Sequence, residues 1–466
     1  MKLFNSMNQT IEEFKPIHEH EVNMYVCGPT VYNYPHIGNA RPIVVFDTLK
    51  RTFQALGYKV KMVSNYTDVD DKIIKVAKEC GVSEKEITEK FIKAYNDDRL
   101  ALHAMMPDAA PRVTETMDAI IAFIELLVKK GHAYEIDGDV YFRVNSVESY
   151  GKLSNQQIDD LMVGARIDEN SKKENPLDFT LWKRTDEGIQ WNSPWSVGRP
   201  GWHTECVVMI NKEFHGEHTI DIHGGGMDLK FPHHENEIAQ SEAANGKEFA
   251  KYWMHNAFLN IDNKKMSKSL GNFRTVREIS EQYDLQVLRF FMLSAHYRSP
   301  LNFSADLMEA SKNGLERIVN AADNLKFLMK NAKAENMTEA EKELAAKTDA
   351  FVADFERAMD DDFNTADAVA AIFDLVKFIN SNTDAESSTE YLNELFALLV
   401  KLTDVLGLIV DKKEEILAED IEKLIEERQA ARKAKDFARA DAIRDELLAK
   451  GIILKDTREG VQWKKA

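Results

Sequence analysis

Residues 24–42, MYVCGPTVYNYPHIGNARP, combine an apolar run, a turn and the start of a helix. The apolar run is typical of a buried strand and ends at Cys27, and Pro42 is tolerated in the first turn of the helix that follows. A second strand pattern covers 58–68, so strand, helix and strand follow one another within about 40 residues. This order predicts a βαβ unit and a parallel sheet. Ligands bind such sheets where strands end and helices begin, which is where Cys27 and His36 lie.

The composition bounds the class of protein. With 466 residues the chain exceeds one compact core, and we expect about two to four domains. Its three cysteines are too few and too scattered for a disulfide framework, and we find no signal-peptide pattern and no apolar run that could span a bilayer. We therefore expect a cytoplasmic protein. The net charge of −18 disfavours a protein that coats nucleic acid non-specifically.

The densest group of polar side chains lies at 223–240, HGGGMDLKFPHHENEIAQ. A helix is predicted from Pro232 onward, because proline is favourable in a first turn. His233 and Glu237 are then four residues apart on one face, a spacing that lets both reach one metal ion. His234 is nearly as good a candidate as His233, and the periodicity does not choose between them.

Two cysteines, Cys27 and Cys206, would complete a set of two sulfurs, one nitrogen and one oxygen. Such a set suits Zn²⁺. The alternative is that the cysteines are small core residues and that the histidines cap a helix or form hydrogen bonds.

Two further motifs indicate phosphate binding. His36, Gly38 and Asn39 stand at a predicted helix start, where backbone N–H groups and the helix dipole favour a phosphate and the glycine lets an adenine ring approach the backbone. Lys265 and Lys268 lie in KMSKS at 265–269 and could hold a polyphosphate. Taken singly, the first motif is more often a helix cap and the second a solvated turn.

In this order along the chain, the motifs resemble those of the cysteinyl-tRNA synthetases, a family of class I aminoacyl-tRNA synthetases. PHIGN is similar to the family's HIGH motif with Asn39 at the fourth position, and KMSKS matches the second family motif letter for letter. The segments CGPTVY, GWHTEC and FPHHENEIAQ resemble those that carry the family's zinc. The resemblance extends over essentially the full length.

The resemblance implies a function and a set of site residues. It implies ATP-dependent formation of cysteinyl-adenylate with release of pyrophosphate, followed by transfer of cysteine to the 3′ end of tRNA(Cys). ATP would enter as its Mg²⁺ complex, and one Zn²⁺ per chain would select the thiolate of L-cysteine over serine. The implied metal ligands are Cys27, Cys206, His233 and Glu237. ATP would contact His36, Gly38, Asn39 and Lys268, with His36, Asn39, Lys265 and Lys268 as catalytic residues. The substrate pocket would include Trp202, Thr67 and Asp228.

The changes of pattern and the resemblance together predict an α/β fold. A Rossmann-like catalytic domain with a parallel sheet would occupy 1–113 and 196–250, interrupted by an α+β connective-peptide insertion at 114–195. The KMSKS loop and a stem-contact region would follow at 251–315. A helical bundle at 316–408 and a small C-terminal α/β anticodon-recognition domain at 409–466 would complete a monomer.

The charge near the C-terminus supports a nucleic-acid partner. Residues 411–427 carry eight acidic and three basic side chains, whereas 428–466 carry eleven basic and six acidic ones. Two alternatives remain: a cysteine ligase of mycothiol-type biosynthesis with the same catalytic core, and a zinc-bearing nucleic-acid-binding protein without catalysis. The first alternative is disfavoured by the complete C-terminal region. The second has no use for the two phosphate-binding motifs.

Overall fold

A computed structural model of the chain describes residues 1–156, 172–262, 264–265, 274–411, 418–434, 436–449, 452–457 and 460–465. Its strands are β1 Lys2–Asn5, β2 Thr10–Glu13, β3 Glu21–Val26, β4 Lys59–Val63, β5 Ala133–Ile136, β6 Asp139–Phe142, β7 Phe179–Arg184, β8 Trp191–Asn192, β9 Val197–Pro200, β10 Ile220–Gly226, β11 Ala250–Asn256, β12 Leu259–Ile261, β13 Lys264–Lys265, β14 Leu301–Phe303, β15 Ile452–Thr457 and β16 Gly460–Lys465.

The α-helices within the described residues are α1 Ile37–Ala55, α2 Asp71–Cys80, α3 Glu84–Ala101, α4 Met117–Lys129, α5 Trp202–Glu213, α6 Glu235–Asn245, α7 Val276–Ser280, α8 Leu285–Leu293, α9 Ala305–Asn331, α10 Glu339–Ala346, α11 Asp349–Asp360, α12 Thr365–Asn382, α13 Thr389–Val405, α14 Ala418–Lys433 and α15 Phe437–Ala449. Short helical turns lie at Val113–Glu115, Val144–Ser146, Met227–Leu229 and Lys230–His234.

A parallel sheet of four strands in the order β11-β10-β3-β4 forms the centre of the fold. In it, Met24 of β3 pairs with Ile222 on one side and with Met62 on the other. Helix α1 connects β3 to β4 and buries Phe46 and Phe53. The predicted βαβ unit and parallel sheet are confirmed. The carboxyl ends of β3, β10 and β11 meet at one edge, where Cys27, Gly226 and Asn256 lie.

A second sheet, antiparallel, has five strands in the order β5-β6-β7-β9-β8. Its first hairpin turns at Asp137 and Gly138, whose φ angles are 54° and 91°. A two-residue turn with positive φ at both positions suits the twist of a hairpin, and glycine adopts that conformation without strain. The sheet ends at Pro200 of β9, so the predicted end of the insertion at 195 falls between its last two strands.

The helix that carries His233 and Glu237 starts where it is predicted. Lys230–His234 form a wide, π-type helical turn that continues directly into the regular α-helix at Glu235. Phe231 has an extended backbone, which is typical of a residue before a proline, so helical geometry runs from Pro232 onward. His233 therefore belongs to the wide turn and Glu237 to the regular helix.

The helical region is built mainly from α9, α12 and α13, whose apolar faces are buried. Asn364 caps α12 by accepting a hydrogen bond from the backbone N–H of Asp367. This region and the two sheets form one unit, residues 1–410, and residues 411–466 form a second unit.

The second unit packs α14, α15 and the hairpin β15–β16 around a small apolar core of its own. The core residues are Ile421, Ile425, Ile443, Leu447 and Ile452. The predicted fold class, a parallel-sheet domain with an α+β insertion, a helical region and a small terminal domain, is confirmed. Within the described residues, we find no helix that combines the length and the apolar character that a bilayer span requires.

Candidate active site and metal centre

A cavity of about 440 Å³ opens at the carboxyl edge of the parallel sheet. Its walls come from the segment between β3 and α1, from the start of α1, and from the residues that follow β10 and β11. Cys27 and His36 both line it, as do Gly38 and Asn39. The end of β3 and the start of α1, which are close in sequence, therefore line the same cavity.

His36 is also the N-cap of α1. Its Nδ1 accepts a hydrogen bond from the backbone N–H of Asn39 at 3.2 Å, and the Asn39 side-chain oxygen accepts one from the His36 N–H at 3.1 Å. This reciprocal capping box stabilises the helix start and fixes the imidazole at the cavity wall. Capping and a place in the cavity are thus compatible roles for the same residue.

Four predicted metal ligands meet beside the cavity, and Cys27 is the one of the four that lines it. Cys27 Sγ lies 3.8 Å from Cys206 Sγ and 3.7 Å from Glu237 Oε1. His233 Nε2 lies 3.6 Å from Cys206 Sγ and 2.8 Å from Glu237 Oε1. Cys206, His233 and Glu237 are buried, whereas Cys27 is half-buried and reaches the cavity.

The separation of the two sulfurs fits a tetrahedral metal site. With zinc–sulfur bonds of about 2.3 Å, two ligating sulfurs stand about 3.8 Å apart along the edge of a tetrahedron. The thiols of Cys27 and Cys206 are at that separation and do not form a disulfide. Two sulfurs, an imidazole and a carboxylate buried in one group are a donor set that zinc favours.

The group is strongly coupled electrostatically. Burial would raise the pKa of the Glu237 carboxyl, but the neighbouring His223 and His233 outweigh it and hold the pKa well below its usual range. The hydrogen bond from Cys27 lowers the pKa of the Cys206 thiol to about 6. Burial raises the pKa of Cys27 instead, so Cys206 is the readier thiolate of the pair.

A second set of ligand atoms overlaps the first. It combines Cys27 and Glu237 with His223 and His234, and all four ligand atoms again lie within 4.8 Å of one another. Cys27 Sγ is 3.3 Å from His234 Nε2. The first set includes both thiolates, which bind zinc more strongly than imidazole does. It therefore fits zinc better, and the choice of His233 over His234 remains a prediction.

Comparison with known proteins identifies the family. A family model described as "tRNA synthetases class I (C) catalytic domain" matches residues 13–313. Models described as "DALR domain" and "Cysteinyl-tRNA ligase anticodon binding domain" match residues 354–410 and 415–463. The cysteine–tRNA ligase of Lachnospira eligens is 59% identical over 474 residues, with 100% of both chains covered. That of Clostridioides difficile is 54% identical, again over 100% of both chains.

The chain belongs to the cysteinyl-tRNA synthetase family.

Solved structures of other synthetases share its fold. Methionyl-tRNA synthetase of Mycobacterium tuberculosis, in complex with methionyl-adenylate, has a TM-score of 0.60 at 14% identity and covers 83% of this chain and 89% of its own. An Agrobacterium radiobacter LeuRS–tRNA–LeuAMS complex has a TM-score of 0.61 at 12% identity, with 85% of each chain covered. At these identities the likeness concerns the fold.

The other predicted site residues are placed as follows in this member of the family. Trp202 and Asp228 line the cavity, and the Trp202 ring stacks on His233 with 4.3 Å between the ring centres. Thr67 is buried and is not among the residues that line the cavity. Its hydroxyl donates a hydrogen bond to Glu205 Oε2 at 3.0 Å. Lys265 lies in β13, and Lys268 lies outside the described residues.

Three histidines that the sequence analysis did not single out surround the ligand group. His223 Nε2 lies 2.7 Å from Glu237 Oε2, and His203 Nδ1 lies 3.0 Å from His233 Nδ1. His255 Nε2 lies 2.9 Å from His234 Nδ1. His223 stands in the middle of β10 and His255 near the carboxyl end of the adjacent strand β11, and the pairing of these strands could have indicated that the two histidines converge on the site.

The terminal unit carries an exposed aromatic residue that the sequence analysis also missed. Phe437, the first residue of α15, is 61% exposed. Arg432 stands in the last turn of α14, and Arg439 forms an ion pair with Glu427 at 2.7 Å. Phe437 lies between basic residues and directly after an aspartate, and this pattern could have indicated an exposed helix start. Trp463 lies in β16, and Arg458 falls outside the described residues.

Proposed function

We propose that this chain ligates L-cysteine to tRNA(Cys) in two steps that share one site. The observation that carries the proposal is that Cys27 of the ligand group and His36 of the phosphate-binding motif line the same cavity, in a chain of the cysteinyl-tRNA synthetase family. A thiol-binding floor and a nucleotide-binding wall in one cavity would bring the cysteine carboxylate against the α-phosphate of ATP.

Cysteine is bound at the floor of the cavity. Cys27, Cys206, His233 and Glu237 would hold Zn²⁺, which supplies a soft centre for the substrate thiolate. Serine is close to cysteine in shape, and shape alone separates such a pair poorly. Its hydroxyl hardly ionises at neutral pH and is the weaker ligand, so selection needs no editing site. Trp202 closes one side of the floor, and the Asp228 carboxylate, which also lines the cavity, would receive the substrate ammonium group.

ATP is bound at the wall formed by the start of α1. The backbone of Gly38 lies beside the cavity, and the helix N-terminus favours the phosphates. His36 and Asn39 are held rigidly by their capping box and would stabilise the charge that develops on the α-phosphate. Lys265 and Lys268, with Mg²⁺, would neutralise the β- and γ-phosphates.

The chemistry is two displacements. A cysteine carboxylate oxygen bonds to the α-phosphorus of ATP. At the same time the bond between the α-phosphorus and the pyrophosphate oxygen breaks, which yields cysteinyl-adenylate and pyrophosphate. A ribose hydroxyl at the tRNA 3′ end then bonds to the activated carbonyl carbon and loses its proton, and AMP leaves.

The partners follow from the same proposal. The match of the terminal unit to the anticodon-binding family and the basic stretch at 428–466 within that unit support tRNA binding there. We propose that the chain is a monomer in the cytoplasm. A mycothiol-type cysteine ligase has no use for an anticodon-binding unit, so that alternative is disfavoured.

The decisive experiment is amino-acid-dependent ATP–pyrophosphate exchange with cysteine, serine and valine in separate reactions. We expect exchange with cysteine and about 10⁴-fold less with serine, the ratio reached by a site that recognises a group the competitor lacks. Exchange with all three at similar rates, or with none, would overturn the proposed function.

Loss of the His36 imidazole is expected to slow activation. His36→Asn retains a good helix cap, so the helix start should persist while the imidazole is lost. We expect the single-turnover rate of cysteinyl-adenylate formation to fall about 10²-fold, the scale of a lost transition-state donor. Lys268→Ala should have a similar effect, with cysteine affinity unchanged in both. His18→Ala, at an exposed histidine outside the cavity lining, is the control. Normal activation in His36→Asn or in Lys268→Ala would remove the substituted residue from the mechanism.

The exposed ring of Phe437 is expected to stack on an unpaired base of the tRNA. Phe437→Ala should lower kcat/KM for tRNA aminoacylation at least about 10-fold, since base–aromatic stacking contributes about 1–3 kcal/mol. Pyrophosphate exchange should not change. Leu448→Ala removes an apolar side chain of the same helix that is 57% exposed, against 61% for Phe437, and serves as the matched control. Equal aminoacylation by the two variants would contradict the stacking role.

A further inference from the structure

Arg41 is a buried cation at the start of α1. Its side chain is 0% exposed, although it stands only two residues after Asn39 of the phosphate-binding motif. Within the described residues no carboxylate forms an ion pair with it. A buried charge without a counter-ion is costly, so its hydrogen bonds must compensate. Burial lowers the pKa of the Arg41 guanidinium to about 10, which still leaves it protonated at neutral pH.

Four backbone carbonyls compensate for that charge. Nη1 donates to the carbonyls of Ala257 and Phe258, each at 2.8 Å. Nη2 donates to those of Ser299 at 2.6 Å and His296 at 3.3 Å. One planar group thus joins α1 to two loops, one between β11 and β12 and the other before β14. A lysine cannot reproduce this, because it has one nitrogen where arginine has a rigid fork.

The loop after β11 is a second part of the cavity lining. Ala257, Phe258 and Leu259 line the cavity together with Gly38 and Asn39 of α1. The two loops also pair with each other, since the Ala257 N–H donates to the Tyr297 carbonyl at 2.9 Å and the Leu301 N–H to the Phe258 carbonyl at 3.1 Å. Arg41 therefore ties the start of α1 to the loop after β11, and both of these segments line the cavity.

A second set of bonds ties the helix start to residues beyond the KMSKS motif. The Ile37 N–H donates to the Arg274 carbonyl, and the Val276 N–H donates to the Pro35 carbonyl, each at 3.0 Å. The chain before the motif and the chain after it are thus both bonded to the start of α1. The connection to the chain before the motif is made by a side chain, that of Arg41, and can therefore be changed by substitution.

We propose that Arg41 is a positioning residue that sets the place of the loop after β11 relative to the start of α1 in the ATP site. This role of Arg41 rests on the proposed function in one respect, namely that the cavity binds ATP. Because its side chain is fully buried, Arg41 does not touch the nucleotide. It acts through the carbonyls of Ala257 and Phe258, and the cysteine-binding floor around Cys27 does not depend on it.

The test is the equilibrium binding of α,β-methylene-ATP, without cysteine or tRNA, to Arg41→Lys and Arg41→Gln. We expect the Kd to rise about 10-fold or more in both, since small displacements of positioning groups have large effects. The KM for cysteine in pyrophosphate exchange should stay within about twofold, because the floor is separate.

Arg289→Lys is the matched control. Arg289 is also 0% exposed and is bonded to the same helix through Asp47 Oδ2 at 2.6 Å, but it lies outside the cavity lining and donates to the Leu406 carbonyl. It should lower the melting temperature as much as Arg41→Lys while leaving the Kd for the analogue unchanged. Unchanged binding in the Arg41 variants, or an equal loss of ATP and cysteine affinity in all three, would overturn the proposal.

Two further outcomes are informative. A wild-type protein that does not bind the analogue would overturn the proposed function, whereas normal wild-type binding with unaffected variants overturns the inference alone. Should neither Arg41 variant fold, hydrogen–deuterium exchange on the wild type provides the test. The analogue is then expected to slow exchange at 296–299, which does not line the cavity, together with 257–259; protection of 257–259 alone would overturn the inference.

Discussion

Cys206→Ser is expected to lose both its zinc and its cysteine-dependent pyrophosphate exchange. The purified wild-type protein should carry about one zinc per chain by elemental analysis, and the variant close to none, because a hydroxyl is a poor substitute for a thiolate ligand. Cys206 is 2% exposed and stands 3.8 Å from Cys27 Sγ, so no water can readily take its place. The exchange rate should fall by at least about 10³-fold, as several kcal/mol of substrate binding is lost.

Cys80→Ser is the matched control for this experiment. Cys80 is exposed and lies at the end of α2, outside both possible ligand sets. It should retain the zinc and the full exchange rate. Full zinc content in Cys206→Ser would remove Cys206 from the ligand set. Loss of zinc without loss of cysteine activation would contradict the role of the metal in substrate selection. His233→Ala and His234→Ala, compared by zinc content, would choose between the two overlapping sets.

Removal of the chain after Val410 is expected to separate the two steps. Residues 1–410 contain every described residue of the cavity and form a unit of their own, so cysteine-dependent pyrophosphate exchange should stay within about twofold of the full chain. Aminoacylation of tRNA should fall about 10³-fold, the scale of two or three lost base contacts of about 1–3 kcal/mol each.

Salt dependence provides the control for simple loss of charge. Both proteins are assayed at the same ionic strength and at several concentrations, because attraction to phosphates weakens as salt rises. If the defect of the truncated protein disappeared at low salt, the terminal unit would act by charge alone. Equal aminoacylation by the truncated and full chains would contradict a role in tRNA recognition.

The local parts of the fold were predictable because they depend on neighbours in sequence. The apolar run before Cys27 formed a strand as expected. The Asp137-Gly138 turn and the Asn364 cap are likewise determined by hydrogen bonds within a few residues. The helix start at Pro232 was predictable for the same reason. A proline is favourable in a first turn, and the residue before it, here Phe231, is biased to an extended backbone.

The buried charges were the part of the site that sequence reasoning missed. An arginine within an amphipathic helix is normally taken as solvent-exposed, and nothing near Arg41 indicates that four distant carbonyls surround it. The same holds for His223, whose partner Glu237 becomes its neighbour only when β10 and α6 pack together.

By itself the sequence determined the βαβ unit, the order of the motifs and the residue types that could bind zinc and phosphate. Only the tertiary structure decided that Cys27 and Cys206, separated by 179 positions, stand 3.8 Å apart, and that His36 faces the same cavity. The physical reason is that periodicity specifies which face of an element is buried, whereas strand order and helix packing specify what that face meets. The parallel pairing of β3 with β10 brings Cys27 next to the elements that carry the other three ligands.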